Sequence, residues 1–338
     1  KWMNGLVFSD SNFDLMWTDG QTVYNLFDAP FFALPTQLHL DAVQAKFSSH
    51  TQTTFAVDEF GIWLSAIHDD IGYEMHYLSS EGEFISWDLN TFEDSSPESI
   101  LAFGGRVITV ADDGINGRQL VELNSSGSHT WLTNMALQSN GNPPTNVGEN
   151  LGLNLLDNKI IFDAQISAVD PTIWSYDLQN GNLVELSSQV VAPSERVSPV
   201  LLNNKLWFDC ITGTTAEELC VSDGTTAGTK VIHEFQPGMA SAEIRNILPI
   251  GDHLLIIADG EIDGFDTGHC LWSFSTLTLE AELVYDPWSG VGNNSDSGNY
   301  GALVGSSELV IFVADNGLTG MELHLWSPLT LQDEWLIW

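Results

Sequence analysis

Four acids within eight residues, Asp259, Glu261, Asp263 and Asp266, form the string Asp-Gly-Glu-Ile-Asp-Gly-Phe-Asp. Carboxylates at alternate positions, broken by glycine, supply the oxygen ligands that a hard cation such as calcium takes. The twelfth position is Cys270, where a helix-flanked calcium loop places a bidentate glutamate, and no helices flank it. A solvated acidic hairpin loop is the plainer reading of the same residues. Asp112 and Asp113, in Asp-Asp-Gly-Ile-Asn-Gly, repeat the pattern in weaker form. Calcium is the cofactor these residues imply. Aromatic side chains offer a second chemistry: Phe31, Phe32, Trp288 and Tyr300 lie in or beside long connections, where they would stack on sugars or anchor a protein partner. Plugging or covering the fold is the alternative use of the same rings.

Catalytic patterns do not emerge. The chain has no Gly-x-Ser-x-Gly elbow, no His-Glu-x-x-His and no phosphate-binding glycine–lysine loop. Its 46 Asp and Glu residues make chance carboxylate pairs unavoidable, so glycoside chemistry is neither specified nor removed. No catalytic residue is assigned.

The elements that must position these residues repeat along the chain. A column held by Cys210 recurs as Asp10, Ala66, Ala111, Ala164, Ala258 and Ala314, at intervals from 45 to 56 residues. A second, held by Leu219, recurs as Leu15, Met75, Leu120, Ile173, Leu271 and Leu323. Each unit reads as a short inner strand, an apolar strand ending in Ala, a polar turn, a strand like Glu-Leu-Trp, a turn and a last strand. Four strands at this period are the signature of a propeller blade. The expectation is one all-β domain, a closed seven-bladed β-propeller with blades near 1–28, 54–89, 100–133, 151–186, 199–235, 244–285 and 300–338. In the fifth unit, Asp223-Gly224 predicts a tight turn between Leu219–Ser222 and a return strand through Lys230–Phe235. His76 and His324 share the third position of the Glu-Leu-Trp motif, a periodicity that favours structure over metal ligation.

Glu218-Leu219 with Ser222-Asp223-Gly224-Thr225 and Gly228-Thr229 resembles the "ELW-x-SDGT-x-x-GT", hyalin-like repeats of large secreted bacterial proteins. Gln236-Pro237-Gly238 and Ala258-Asp259 fit the same consensus, Asp14–Gly20 is a second match, and Glu322-Leu323 and Cys270-Leu271-Trp272 keep fragments. The resemblance is close only in the fifth unit. It implies propeller architecture and a place outside the cell, and it carries no catalytic residues across.

Composition bounds the partners. Nine Lys and Arg against 46 Asp and Glu give a net charge of −37 over 338 residues. Nucleic acid is excluded as a partner, because phosphate binding needs a basic surface. Anionic membrane surfaces are disfavoured, and no apolar run approaches the ~20 residues of a membrane span. The chain opens at Lys1 without a leader, which reads as a processed or excised part of a secreted precursor. Cys210 and Cys220 flank one hairpin loop: they form a disulfide, or they are two small core residues in the Ala and Trp columns. Cys270 reads as a buried free thiol.

Antiparallel parity then sorts the loops. With strands labelled A to D outward from the axis, the B–C loops and D–A connections share one face, and the A–B and C–D turns the other. Pro30–Ser49, Gln138–Asn150 and Pro287–Asn299 are D–A connections, and the B–C loops beside them are acidic. Function belongs on that long-looped face. The expected role is a secreted or cell-surface, non-enzymatic binding or adhesion propeller presenting this face to a glycan or protein. The alternatives are a glycan hydrolase or lyase with carboxylates around the channel, and a self-assembling structural subunit.

Overall fold

The computed structural model describes residues 5–9, 15–25, 38–39, 55–135, 144, 146–166, 171–191, 197–290, 293–299 and 303–327. These are all-β, in seven antiparallel meanders, the blades of a seven-bladed β-propeller. Blade three shows the full pattern, with strands Glu98–Phe103, Arg106–Asp112, Arg118–Asn124 and His129–Trp131 in A to D order. Blades four, five and six also have four strands, with Leu183–Val191 of blade four pairing Lys205–Thr212 of blade five in one eight-stranded sheet. Blade two has four and a fifth, Leu38–His39, pairing Gly61–His68; blades one and seven have three among the described residues. Lys1 and Trp338, whose closure of the ring the repeat predicts, lie outside them.

The chain forms two compact units, Lys1–Asn154 with Phe162–Pro171 and Gln179–Leu183, and Leu155–Ile161 with Thr172–Leu178 and Val184–Trp338. In each, the middle strands read as unbroken apolar runs because both of their faces are covered. Leu254, Leu255, Ile256, Ile257 and Ala258 are all buried. Alternate residues serve different neighbours, as the strand period requires: Leu254, Ile256 and Ala258 pack with Trp207, Leu219 and Phe235 of blade five. Leu255 and Ile257 pack with Leu303, Val310 and Phe312 of blade seven. Blades one and two of the first unit meet in the same way through Trp17, Ile62, Leu64 and Leu78. The alanine column sits in this packing. Ala66, Ala111, Ala164, Ala258 and Ala314 are buried, and so is Cys210.

The third position of the Glu-Leu-Trp motif ties back to that column. Trp272 Nε1 donates to the Ala258 carbonyl at 3.2 Å, and His76 Nε2 lies 3.1 Å from the Ala66 carbonyl. In blade seven the ring of His324 meets Tyr285 Oη through Nδ1, at 2.8 Å. In blade five the two positions are Cys220 and Cys210, and they are joined by a disulfide with Cα atoms 5.8 Å apart. The covalent bond spans the diagonal that a ring N–H spans in blades two and six. Cys270 is a buried free thiol, as expected.

One local expectation is corrected. Asp223-Gly224 is not a two-residue turn: strand Glu218–Ser222 ends there, but the return strand starts only at Lys230 and ends at His233. Hydroxyl groups hold the longer loop in shape. Asp223 Oδ1 accepts from the Thr225 N–H and Oγ1, Thr229 Oγ1 donates to the Thr225 carbonyl at 2.8 Å, and Ser222 Oγ meets Thr229 Oγ1. Lys159 Nζ caps it, donating to the Gly224 carbonyl at 2.7 Å.

Candidate binding face at the B–C loops

The residue after the alanine column donates its N–H to the incoming D–A connection: Asp112 to Ser95, Asp259 to Ala242 and Asp315 to Ser295, at 2.7–2.8 Å. Within each of blades three, six and seven, the B–C loop and the incoming D–A connection therefore lie at the same end of the blade, as parity requires.

Blades three and seven build their B–C loops alike. Asp112 Oδ1 accepts the Gly114 N–H, and Asp113 Oδ1 accepts those of Ile115 and Asn116. In blade seven Asp315 accepts from Gly317, and Asn316 from Leu318 and Thr319. Asp112 and Asp113, predicted as cation ligands, spend oxygens on these turns. The loops hold an apolar residue outward: Ile115 is 80% and Leu318 91% exposed. Trp288, one of the predicted aromatic contacts, is half-buried and packs its indole over Gly317, where a Cβ would collide with it. Phe31, Phe32 and Tyr300 lie outside the described residues.

Blade six departs from its sisters. The predicted loop Asp259–Asp266 is a continuation of the ladder, with strands His253–Ile262 and Phe265–Ser275 joined only by Asp263-Gly264. Both turn residues have positive φ, 53° and 82°, which a two-residue hairpin of this type demands and which Asp-Gly tolerates. Glu261 pairs Asp266 and Ile262 pairs Phe265, after a bulge at Gly260, over which Trp272 packs. The alternation of acids that suggested ligands is thus the alternation of a strand. Among the described residues, no group of three or more His, Cys, Asp or Glu side chains gathers as metal ligands.

Asp259 and Asp266 nevertheless meet. Burial, and then the neighbouring Asp266 carboxyl, hold the Asp259 carboxyl above its ordinary range, while Gln236 Nε2, donating at 3.0 Å, opposes the shift. Opposite Asp259 in the ladder, His269 is buried with Nε2 3.4 Å from the Glu243 carboxylate. Burial, reinforced by Arg245, pushes its pKa down, so at neutral pH the contact is between neutral imidazole and carboxylate.

Sequence reasoning missed the role of the motif's glutamate. Glu218 is fully buried and accepts the N–H groups of Phe235 (2.7 Å) and Gln236 (3.2 Å), clamping the chain as it leaves strand D. Glu74 does the same in blade two, accepting from the Leu89 N–H, the Ser95 N–H and the Ser95 hydroxyl. Gln119 holds the position in blade three, its Oε1 accepting from Met135 N–H and Thr133 Oγ1. The signal was present: a Glu or Gln recurs immediately before the Leu219 column, in a strand otherwise apolar. A related clamp is Asp163, which accepts from Asn150 and Leu151.

These clamps set a pH dependence. Burial raises Glu218 to about 8, and Glu74 and Asp163 to about 7, against their backbone donors. The folded chain then holds protons that the unfolded chain has released, so stability falls as pH rises through these values. Buried His76, depressed to about 4 by desolvation, acts oppositely, its contribution being lost as pH falls from 6.5 toward 4. From pH 6.5 upward the carboxyls act unopposed. After discounting for screening, the expected loss by pH 8.5 is on the order of 2 kcal/mol, read as a falling melting temperature. Glu218→Gln should flatten the slope; an unchanged slope would show that Glu218 is ionised throughout.

No family model and no curated protein matches the chain. Among solved structures it is similar to a puromycin-hydrolyzing peptidase of Mycobacterium tuberculosis (13% identity, TM-score 0.49). That match covers 92% of this chain and 47% of the peptidase. TolB from Acinetobacter baumannii is similar at 10% identity and TM-score 0.35, over 76% of this chain and 58% of TolB. A putative TolB from Agrobacterium tumefaciens is similar at 12% and 0.36, over 72% and 83%. The chain spans less than half of the peptidase. Likeness at this level transfers neither residues nor chemistry.

Proposed function

We propose that the chain is a secreted or cell-surface binding propeller without enzymatic activity, presenting its B–C face to a glycan or protein. The observation that carries this is a build found in two loops, in blade three of one unit and, independently, in blade seven of the other. Side-chain acceptors fix their backbones while Ile115 and Leu318 stand in solvent, which removes ordering entropy from a contact before it is made. Location outside the cell is supported by the Cys210–Cys220 disulfide, since disulfides persist in oxidising compartments, and agrees with the resemblance to hyalin-like repeats. Calcium enters the proposal at the Asp259–Asp266 pair, where a cation would relieve the repulsion between the two carboxyls; a calcium-dependent rise in melting temperature that Asp266→Asn abolishes would support it.

The test is a glycan array and a panel of surface proteins probed with the full chain and, separately, with Ile115→Ser and with Leu318→Ser. Both side chains are exposed, so the melting temperature should hold while affinity for any ligand found drops about tenfold or more. Glycan turnover would favour the hydrolase reading, and ordered self-assembly the structural one.

A further inference from the structure

We infer that the extended hairpin of blade six docks a protein partner through a lysine- or arginine-bearing surface with an apolar recess, Phe265 and Ile262 being the anchor. This rests on the binding reading above and names its partner class.

The B strands of blades three and seven stop one residue past the alanine column, at Asp112 and Asp315. In blade six the strand runs on to Ile262, four residues past Ala258, and returns from Phe265. The extension is rigid, being a continuous ladder closed by a two-residue turn, with the Glu261 N–H also donating to the Phe235 carbonyl at 2.9 Å. It is two-sided, because successive residues of a strand face opposite ways. Ile262 and Phe265 are cross-strand partners, 41% and 55% exposed; Glu261 and Asp266 are the next pair, also exposed, and Asp263 sits at the turn. The connection that the hairpin leans on carries Met239, 74% exposed.

A hairpin turn needs no isoleucine or phenylalanine at its tip, and exposed apolar side chains there lower solubility unless something covers them. Charge selects what covers them. With three carboxylates around the apolar pair on a chain of net charge −37, an acidic or phosphate-bearing surface is repelled and a cationic one is attracted. The apolar pair distinguishes a docked partner from a diffuse counter-ion.

The experiment titrates the full chain with three probes at about 150 mM salt: an amphipathic lysine–leucine peptide, its glutamate–leucine counterpart, and poly-L-lysine. The expected result is binding of the cationic peptide, weakened about tenfold by Phe265→Ser/Ile262→Ser, with poly-L-lysine binding unchanged by the variant. Glu261→Gln/Asp263→Asn provides a second variant whose turn survives, since asparagine tolerates the left-handed backbone; it should weaken the peptide several-fold. Equal binding of the glutamate–leucine peptide, or loss of neither apolar nor acidic contribution in the two variants, overturns the inference. Glycan binding on the array with no response to the cationic peptide overturns this inference alone and leaves the binding reading standing.

Discussion

Glu74→Leu is expected to destabilise the protein by about 3–5 kcal/mol, more than a typical core truncation of similar size. The carboxyl is the acceptor for three donors, the Leu89 N–H at 3.1 Å, the Ser95 N–H at 2.9 Å and the Ser95 hydroxyl at 2.5 Å, all buried. A buried donor left without its acceptor costs about 1–3 kcal/mol, and leucine offers no acceptor while filling similar space. The loss should appear as a lower denaturant midpoint at constant slope, with the Leu89 and Ser95 amides losing exchange protection first. Glu74→Gln should recover part of it, because Gln119 performs the same task in blade three. If Leu and Gln variants melted alike, the clamp would be spectator geometry and the chain leaving strand D would be held by packing alone.

That clamp marks how far the sequence could be read. The repeat columns were legible because each holds a fixed place in its blade: the alanines are buried, and so are Met75, Leu120, Ile173, Leu219 and Leu271 of the leucine column, although Leu323 is 73% exposed. The pairing of Cys210 with Cys220 was visible as one of two readings, both sulfurs standing in columns that other blades connect by a ring N–H. Turn chemistry was less legible, and instructively so. The Asp-Gly signal failed at Asp223-Gly224, where Thr225 and Thr229 hydroxyls hold a longer loop, and was overlooked at Asp263-Gly264, where a two-residue turn does close the ladder. Dipeptide propensity cannot separate the two cases; the hydroxyls downstream can. The alternating acids of 259–266 were read as ligand spacing, although a period of two is equally that of a strand. Exposure of Ile115, Leu318 and Phe265 was beyond sequence reasoning, since only the finished loop shows which apolar residues are left outside.

Breaking the Cys210–Cys220 bridge should have the second large effect. Closing a loop across a sequence separation of 10 lowers the entropy of the unfolded chain by about 3 kcal/mol in the loop-closure model. Both sulfurs are fully buried, so reductant should act at the rate of blade opening rather than of thiol exchange in solution. Cys210→Ala/Cys220→Ala should show the full loss without that delay. The sister blades suggest a partial remedy. Blades two and six place alanine at the first position and a ring N–H donor at the second, tryptophan in blade six and histidine in blade two. Tryptophan needs Gly260 beneath it, where a Cβ would strike the indole, and blade five has Thr212 at the corresponding place. Histidine carries no such requirement, blade two having His68 there. Cys210→Ala/Cys220→His should therefore regain about 1 kcal/mol over the double alanine, the net worth of one hydrogen bond. Equal melting temperatures for the two double variants would show that the diagonal between these columns adds nothing once the covalent bond is gone.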